Sequence, residues 1–413
     1  MSVLVIDNGS YEIKVGKAGS DCFHVRNAIM RSRDRRLWLA NAVDMCKDLT
    51  GLQYKRPIER GQLYSWELEK AIWDWIWDSK KVVKSEDEFK DMTLILTESL
   101  GTLPSLSTST DQVIFEEYEF ERYRRCPPQM LAAYTQPNIP DASLVIDVGF
   151  NATYVVPVIN SVNAIESGIR RLDVGGKMLT NYLKEIVSYR YYNMMEESTI
   201  LNRVKESTCF TSLDFKSDLN NWHRDHLRKT HSKFAIGYEL PSSHEDLYGH
   251  VIDDVNEAVK IQKSGDRQVL ILENERFSVP EALFDPLGHL GVNQAPLPEI
   301  VNTSILASPE MYQPLMWSNI VLCGGTANLP NFKERLESEI RKFAPCDIPL
   351  NIHTSSNNTE TAWEGASRMA QDDEFIMDKF TISRTEYLEQ GPSHVQKKFQ
   401  STNRWNPKTG PPL

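Results

Sequence analysis

Val3-Leu4-Val5-Ile6-Asp7-Asn8-Gly9-Ser10-Tyr11-Glu12-Ile13-Lys14-Val15 is an apolar, β-rich run that ends in an aspartate, turns through a glycine and enters a second β-rich run. Leu144-Val145-Ile146-Asp147-Val148-Gly149-Phe150-Asn151-Ala152-Thr153-Tyr154-Val155-Val156 repeats the pattern about 140 residues later. Each copy predicts a hairpin with its turn chemistry in place. A buried strand ending in Asp before a tight Gly turn sets a carboxylate and bare backbone N–H groups at one rim. Such a rim suits a metal-bound phosphate, because glycine permits close backbone approach and N–H groups form an anion nest. Two such hairpins at a domain-sized separation predict a duplicated domain, with the hairpins facing each other across a cleft. Two unrelated hairpins of a large α/β protein are the alternative.

The remaining composition narrows the class. A chain of 413 residues is long enough for two or more domains with substantial cores. Hydrophobic content of 40% and charged content of 25% are those of an ordinary globular protein. No apolar run reaches the ~18–20 residues of a membrane span. The first residues enter a strand without a basic n-region or cleavage site, which predicts that the protein is not secreted. Cys22, Cys46, Cys126, Cys209, Cys323 and Cys346 are scattered and form no C-x-x-C pair, so free thiols in a reducing compartment are expected. The net charge of -11 argues against a general nucleic-acid coat and is compatible with basic partners.

Along the chain, Arg31, Arg33, Arg35 and Arg36 form a basic stretch that reads as a solvated loop, with a phosphate or acidic-partner contact as the alternative. Trp66, Ile72, Trp73, Ile76 and Trp77 fall near helical spacing and predict a helix whose aromatic load is core. Lys80 to Lys90 reads as a charged connector and Leu94 to Glu98 as a short buried strand. Pro127-Pro128 interrupts any helix around it, and Pro137 to Pro140 marks a turn and the main domain boundary. Residues 177–207 have helical composition. Trp222 to His231 is polar and His-rich; the spacing of His223 and His226 could suit a metal, but without further ligands it reads as surface. Ser401 to Leu413 reads as a disordered tail.

Several segments resemble actin, in order and along most of the chain. They are Pro57-Ile58-Glu59-Arg60-Gly61 with Trp66 and Ile72-Trp73, Phe115-Glu116, Arg171-Leu172-Asp173-Val174-Gly175-Gly176 with Leu179-Thr180, and Lys205-Glu206 with Cys209 and Leu213-Asp214-Phe215. Glu275-Arg276-Phe277-Ser278-Val279-Pro280-Glu281-Ala282-Leu283-Phe284-Asp285-Pro286 is the strongest, followed by Val321-Leu322-Cys323-Gly324-Gly325-Thr326 with Pro330. The resemblance implies the duplicated α/β fold of actin, Hsp70 and hexokinase (ribonuclease-H-like), with two lobes around a nucleotide cleft. It implies a small lobe from 1–137 plus 350–400, with 30–60 as its inserted subdomain. The large lobe would be 138–349, with 177–265 inserted, leaving 401–413 as the tail. A five-stranded mixed sheet is expected in each lobe.

By the same resemblance, the nucleotide contacts retained are Asp7, Gly9, Ser10, Lys14, Asp147, Gly149, Thr153, Gly176, Lys205, Glu206, Gly324, Gly325 and Thr326. Others depart from actin. Tyr11 stands for a Gly in the phosphate-cradling turn, Phe150 for a second acidic residue of the metal shell, Asn151 for a Gly, and Tyr154 for a His that positions water. The catalytic Gln of actin falls at Pro128, and a shift that brings Gln129 into its place would need local rearrangement. Leu329 stands for the Tyr that packs on adenine, and Thr359 for a Lys contact. Phosphoryl transfer depends on positioning and charge stabilisation, so these departures imply no useful ATPase turnover. The implied cofactor is ATP or ADP as a structural ligand, with no catalytic residues, no redox cofactor and no structural metal.

Asp7-Asn8-Gly9-Ser10-Tyr11, Val113 to Phe120, Val174-Gly175-Gly176-Lys177 and Ala362-Trp363-Glu364-Gly365 resemble the actin-related protein 6 subfamily in particular. That subfamily consists of nuclear subunits of Swr-type chromatin remodellers, which deposit the Z-type histone variant. The resemblance implies a nuclear, non-catalytic scaffold that pairs with a zinc-HIT-domain subunit and the remodeller's ATPase chain, with nucleosome or histone contact direct or indirect. Membrane contact and a homopolymer are not expected. A nucleotide-hydrolysing, filament-forming actin is the alternative, and Asp34 to Tyr54 bears little likeness to actin's polymer-contacting loop. A sugar kinase or chaperone ATPase of the same fold is a third reading.

Overall fold

Both hairpins form, and each nucleates a sheet of the same plan. The structure is a computed structural model and describes the chain apart from residues 1, 137–139, 162, 242–247, 373 and 404–413. Strand Ser2–Asn8 pairs antiparallel with Glu12–Lys17, and Ala142–Val148 with Thr153–Ile159. On its other side each leading strand takes two parallel neighbours in turn. These are Met92–Thr97 then Arg122–Cys126 in the first sheet, and Ile320–Cys323 then Ile352–Thr354 in the second. Phe23–Arg26 and Asn163–Ala164 extend the hairpins.

Each sheet has six strands rather than the expected five. The additions are Ile382–Ser383, on the outer edge of the first sheet, and Arg170–Leu172, paired with Thr153–Ile159. Strands of two or three residues are too short to show a period of their own, so only the tertiary context reveals them. The central strands are covered on both faces: every residue of Met92–Thr97 and Thr153–Ile159 is buried. That is why they read as continuous apolar runs without alternation.

The expected aromatic helix is Trp66–Asp78, capped by the Ser65 hydroxyl, which accepts from the Leu68 amide. Trp73 is fully buried and meets Trp66 and Trp77 edge-on at 5.5 and 5.9 Å, so these rings are core. Pro128 starts a helix, Pro128–Ala133, where its missing N–H costs nothing. This helix lies between the sheets. Met130 and Ala132 cluster with Val145 and Val156 of the second sheet, and Leu131 clusters with Val5 and Ile95 of the first. Helix Thr361–Asp372 crosses it at Gly365, where a Cβ would come within 1.8 Å of the Leu131 carbonyl oxygen.

A small three-stranded sheet is inserted in each half, from Ile29–Arg31, Leu37–Leu39 and Gln53–Lys55 and from Ile236–Glu239, His250–Ile252 and Val269–Leu272. The string from Glu275 to Pro286 is structural. Phe277 is fully buried, and Glu281 receives Arg335 through two hydrogen bonds of 3.0 and 3.3 Å. The polar segment near Trp222 is the end of helix Phe215–Leu227, where His226 stacks on Trp222 at 5.3 Å. Ser401 to Asn403 complete the helix Pro392–Asn403, and the rest of the expected tail lies outside the described residues. So do residues 137–139 of the expected boundary turn.

Candidate functional site

The two hairpin turns meet across a cleft with a cavity of about 630 Å³, within the range of small-molecule sites. Asp7, Gly9, Ser10 and Lys14 line it from the first hairpin, Asp147 and Gly149 from the second. Gly176, Lys205, Glu206, Gly324, Gly325 and Thr326 complete the far end. Thr153 does not line it. It is fully buried, and its hydroxyl donates to the Val174 carbonyl at 2.8 Å, which fixes the strand start instead. Gly324 adopts φ +91°, and a Cβ there would come within 2.4 Å of the Val148 carbonyl oxygen, so glycine is required where the second sheet meets the cleft floor.

The carboxylates are already engaged. Asp7 accepts from the Thr97 hydroxyl at 2.8 Å and pairs with Lys14 at 3.4 Å. Burial works against the Lys14 ammonium, but Asp7, Glu12 and Asp147 hold its pKa above the ordinary lysine value. Asp147 accepts from Gln129 Nε2 at 2.7 Å. Burial pushes its pKa up to about 6, and the Asp7 charge adds to that rise.

Gln129 thus reaches the cleft after all. Pro128 fixes the first helical position, and Gln129, one residue on, turns its amide onto Asp147 without disturbing the helix. Its Oε1 is buried and has no hydrogen-bond partner. An ungapped comparison places the wrong residue at this point; the Pro-Pro pair as a helix start was the available signal.

The other departures become packing contacts. The Tyr11 and Phe150 rings meet at 4.9 Å, and burial pushes the Tyr11 phenol up to about 12. Asn151 Nδ2 donates to Ser10 Oγ at 2.7 Å. Arg171 Nη1 donates to the Tyr154 hydroxyl at 3.0 Å, and that hydroxyl lies 3.3 Å from Ser99 Oγ. Arg56, outside the motifs that sequence reading singled out as contacts, lays its guanidinium over both Tyr11 and Phe150 at 5.1 and 5.0 Å.

At the far end Lys205 is buried and donates to the Gly176 carbonyl, the Thr180 hydroxyl and Asn202 Oδ1 at 2.9 to 3.0 Å. Its three donors are spent inside the protein, so it shapes the wall more than it offers charge. Leu329 and Thr359 line the same end. This end keeps Gly176, Gly324 and Gly325 together with the polar side chains of Glu206 and Thr326. At the phosphate end the two carboxylates are already engaged by Lys14, Thr97 and Gln129, and Phe150 adds no oxygen to the Asp7 and Asp147 pair, which weakens the hold on a hydrated divalent ion.

Among the described residues one other group has ligand atoms within 4.8 Å of one another: Cys22, His24 and Glu360. His24 sits between two carboxylates, Glu12 at 2.8 Å and Glu360 at 3.0 Å. The hydrogen bond to Glu12 leads the causes that raise the His24 pKa, so the two carboxylates favour the imidazolium form.

Comparison with known proteins agrees with the architecture. The actin family profile matches residues 1–400. The chain is 39% identical to actin-like protein ARP6 of Yarrowia lipolytica over 397 residues, covering 96% of this chain and 97% of that protein. It is 35% identical to actin-like protein ARP6 of Kluyveromyces lactis over 429 residues (98% and 99% coverage). It is 34% identical to actin-related protein 6 of Neurospora crassa over 425 residues (96% and 94% coverage). Two lobes of like topology, a cleft between paired Asp-Gly hairpins and end-to-end similarity to these proteins lead to one conclusion: the chain belongs to the actin family, close to its fungal actin-related protein 6 members.

Proposed function

We propose that this protein is a non-catalytic scaffold subunit of a nuclear Swr-type chromatin remodelling complex that deposits the Z-type histone variant. The observation that carries the reading is the altered phosphate end of the cleft. Tyr11 and Phe150 are packed against each other where a metal-bound phosphate would need backbone and oxygen ligands. Tyr154 is held by Arg171 where a water-positioning imidazole would be needed. Similarity to actin-related protein 6 along the whole chain supports the choice of complex.

Its partners are a zinc-HIT-domain subunit and the ATPase chain of the remodeller, and hydrolysis belongs to the latter. The acidic balance of -11 favours basic partner segments, chiefly through encounter rate and salt sensitivity. ATP or ADP bound in the cleft would be a structural ligand, received by the far end. Gln129 beside Asp147 is the observation that favours the hydrolytic alternative, and it makes the test specific. Single-turnover assays of the purified chain with Mg-ATP should give phosphate release indistinguishable from buffer. Affinity purification from nuclear extract should recover the zinc-HIT subunit and the ATPase chain. Actin-like turnover abolished by Asp147→Asn, or recovery of only this chain and filament-binding proteins, would refute the reading.

A further inference from the structure

The residues that weaken the phosphate site share a second property: each touches the opposite lobe. Tyr11 and Asn151 reach across to Asn202 and Ser10 at 3.2 and 2.7 Å, and the Tyr154 hydroxyl approaches Ser99 Oγ at 3.3 Å. Phe150 meets the Tyr11 ring at 4.9 Å.

Arg56 sits at the centre of these contacts. Its Nη1 donates to the Ser10, Tyr11 and Asn27 carbonyls at 3.2 to 3.3 Å. Its guanidinium lies 5.0 to 5.2 Å from the ring centres of Tyr11, Tyr54 and Phe150. Among the described residues no carboxylate forms an ion pair with it. A cation met by carbonyl oxygens and π faces alone, one of those faces belonging to the other lobe, is a tethered positive charge between the two hairpin turns. The contact continues outward. The Gly51 amide donates to the Glu197 carboxylate at 2.9 Å, and the Tyr54 and Thr199 hydroxyls are hydrogen-bonded.

We propose that the two lobes are held closed by this protein's own side chains, with Arg56 clamped on the Tyr11–Phe150 pair in place of a metal-bound phosphate bridge. A bridge made by a ligand stabilises the closed state by an amount that grows with the logarithm of ligand concentration over its dissociation constant, and vanishes without ligand. A bridge tethered to the chain is present at every nucleotide concentration. Closure is therefore independent of Mg-nucleotide, and the outer surface keeps one shape whether or not the cleft is filled. This holds whichever complex the protein serves, because it rests on contacts within the chain.

Hydrogen–deuterium exchange on the purified full chain tests the clamp. In EDTA without nucleotide, the amides of the 9–11 and 149–152 turns should exchange slowly, and Mg-ATP should change their rates less than about twofold. Arg56→Ala and Phe150→Ala should each speed exchange in both turns by about tenfold or more, while Met92–Thr97 and Thr153–Ile159 stay protected. Fast exchange of the turns in nucleotide-free wild type, slowed about tenfold by Mg-ATP, would overturn the proposal. So would Arg56→Ala with wild-type rates in both turns and the sheet strands protected. If a variant loses protection in the sheet strands, the wild-type comparison with and without Mg-ATP decides alone, since it needs no substitution.

Discussion

Glu69→Gln is expected to stabilise the protein at pH 8 and to matter far less at pH 5. Glu69 lies on the core face of helix Trp66–Asp78 with no solvent exposure. Its Oε1 accepts from Trp73 Nε1 at 3.0 Å, and its Oε2 has no partner. The Asn8 and Asn27 side chains stand beside the carboxyl, and their own Oδ1 atoms are buried and unpartnered. A protonated carboxyl, or a glutamine amide, supplies the donor that this pocket lacks. Burial pushes the Glu69 pKa from 4.5 to about 7, against the opposing effect of Asn8, Asn27 and Trp73. An acid whose pKa is higher in the fold than in the unfolded chain binds its proton more tightly when folded. Its burial is tolerated below pH 4.5, and stability is lost as pH rises towards 7. At about 1.4 kcal/mol per pH unit, the shift amounts to about 3 kcal/mol at pH 8 and less than about 1 kcal/mol at pH 5. Urea or thermal unfolding of wild type and Glu69→Gln at both pH values measures the difference, and other titrating groups cancel in the comparison. A gain of about 2 kcal/mol at pH 8 relative to pH 5 is expected. A variant less stable than wild type at pH 8, or one whose effect is the same at both pH values, would show that the carboxylate is satisfied as an anion.

Three further outcomes follow from other contacts. Gly365→Ala should destabilise by about 1–3 kcal/mol in thermal or urea unfolding, because the helix that crosses Pro128–Ala133 must move away from the Leu131 carbonyl. Arg335→Ala should cost about 3–5 kcal/mol in the same assay, since it leaves Glu281 buried without its two hydrogen bonds; an unchanged melting curve would show that Glu281 finds another partner or a proton. His24→Ala should lose up to about 1 kcal/mol at pH 6 and less at pH 9. The hydrogen bond His24 donates to Glu12 leads the causes that raise the His24 pKa, so the stabilisation is full below 6.5 and fades as pH rises through the higher folded value. A loss that grows with pH would contradict an imidazolium between Glu12 and Glu360.

The sequence alone made the two hairpins legible, because an apolar run, an Asp and a Gly turn are local signals that depend on no distant partner. It also determined the aromatic helix at Trp66 and, through ordered motifs, the family and most of the cleft lining. What it could not determine was set by contacts between residues far apart in the chain. The two- and three-residue edge strands exist only because a neighbouring strand offers unpaired backbone groups. Gln129 lies beside Asp147 because Pro128 sets the start of a helix wedged between the sheets, a rotation that no comparison of single positions contains. Thr153 read as a site residue by its place in the motif, but strand pairing turned its hydroxyl to Val174. Tyr11, Phe150, Asn151 and Tyr154 read in sequence only as losses. Their contacts lie with Arg56 and across the cleft, as far as the 191 positions that separate Tyr11 from Asn202. A substitution shows locally what chemistry it removes; what it adds depends on the surface it faces, and only the closed pair of lobes supplies that surface.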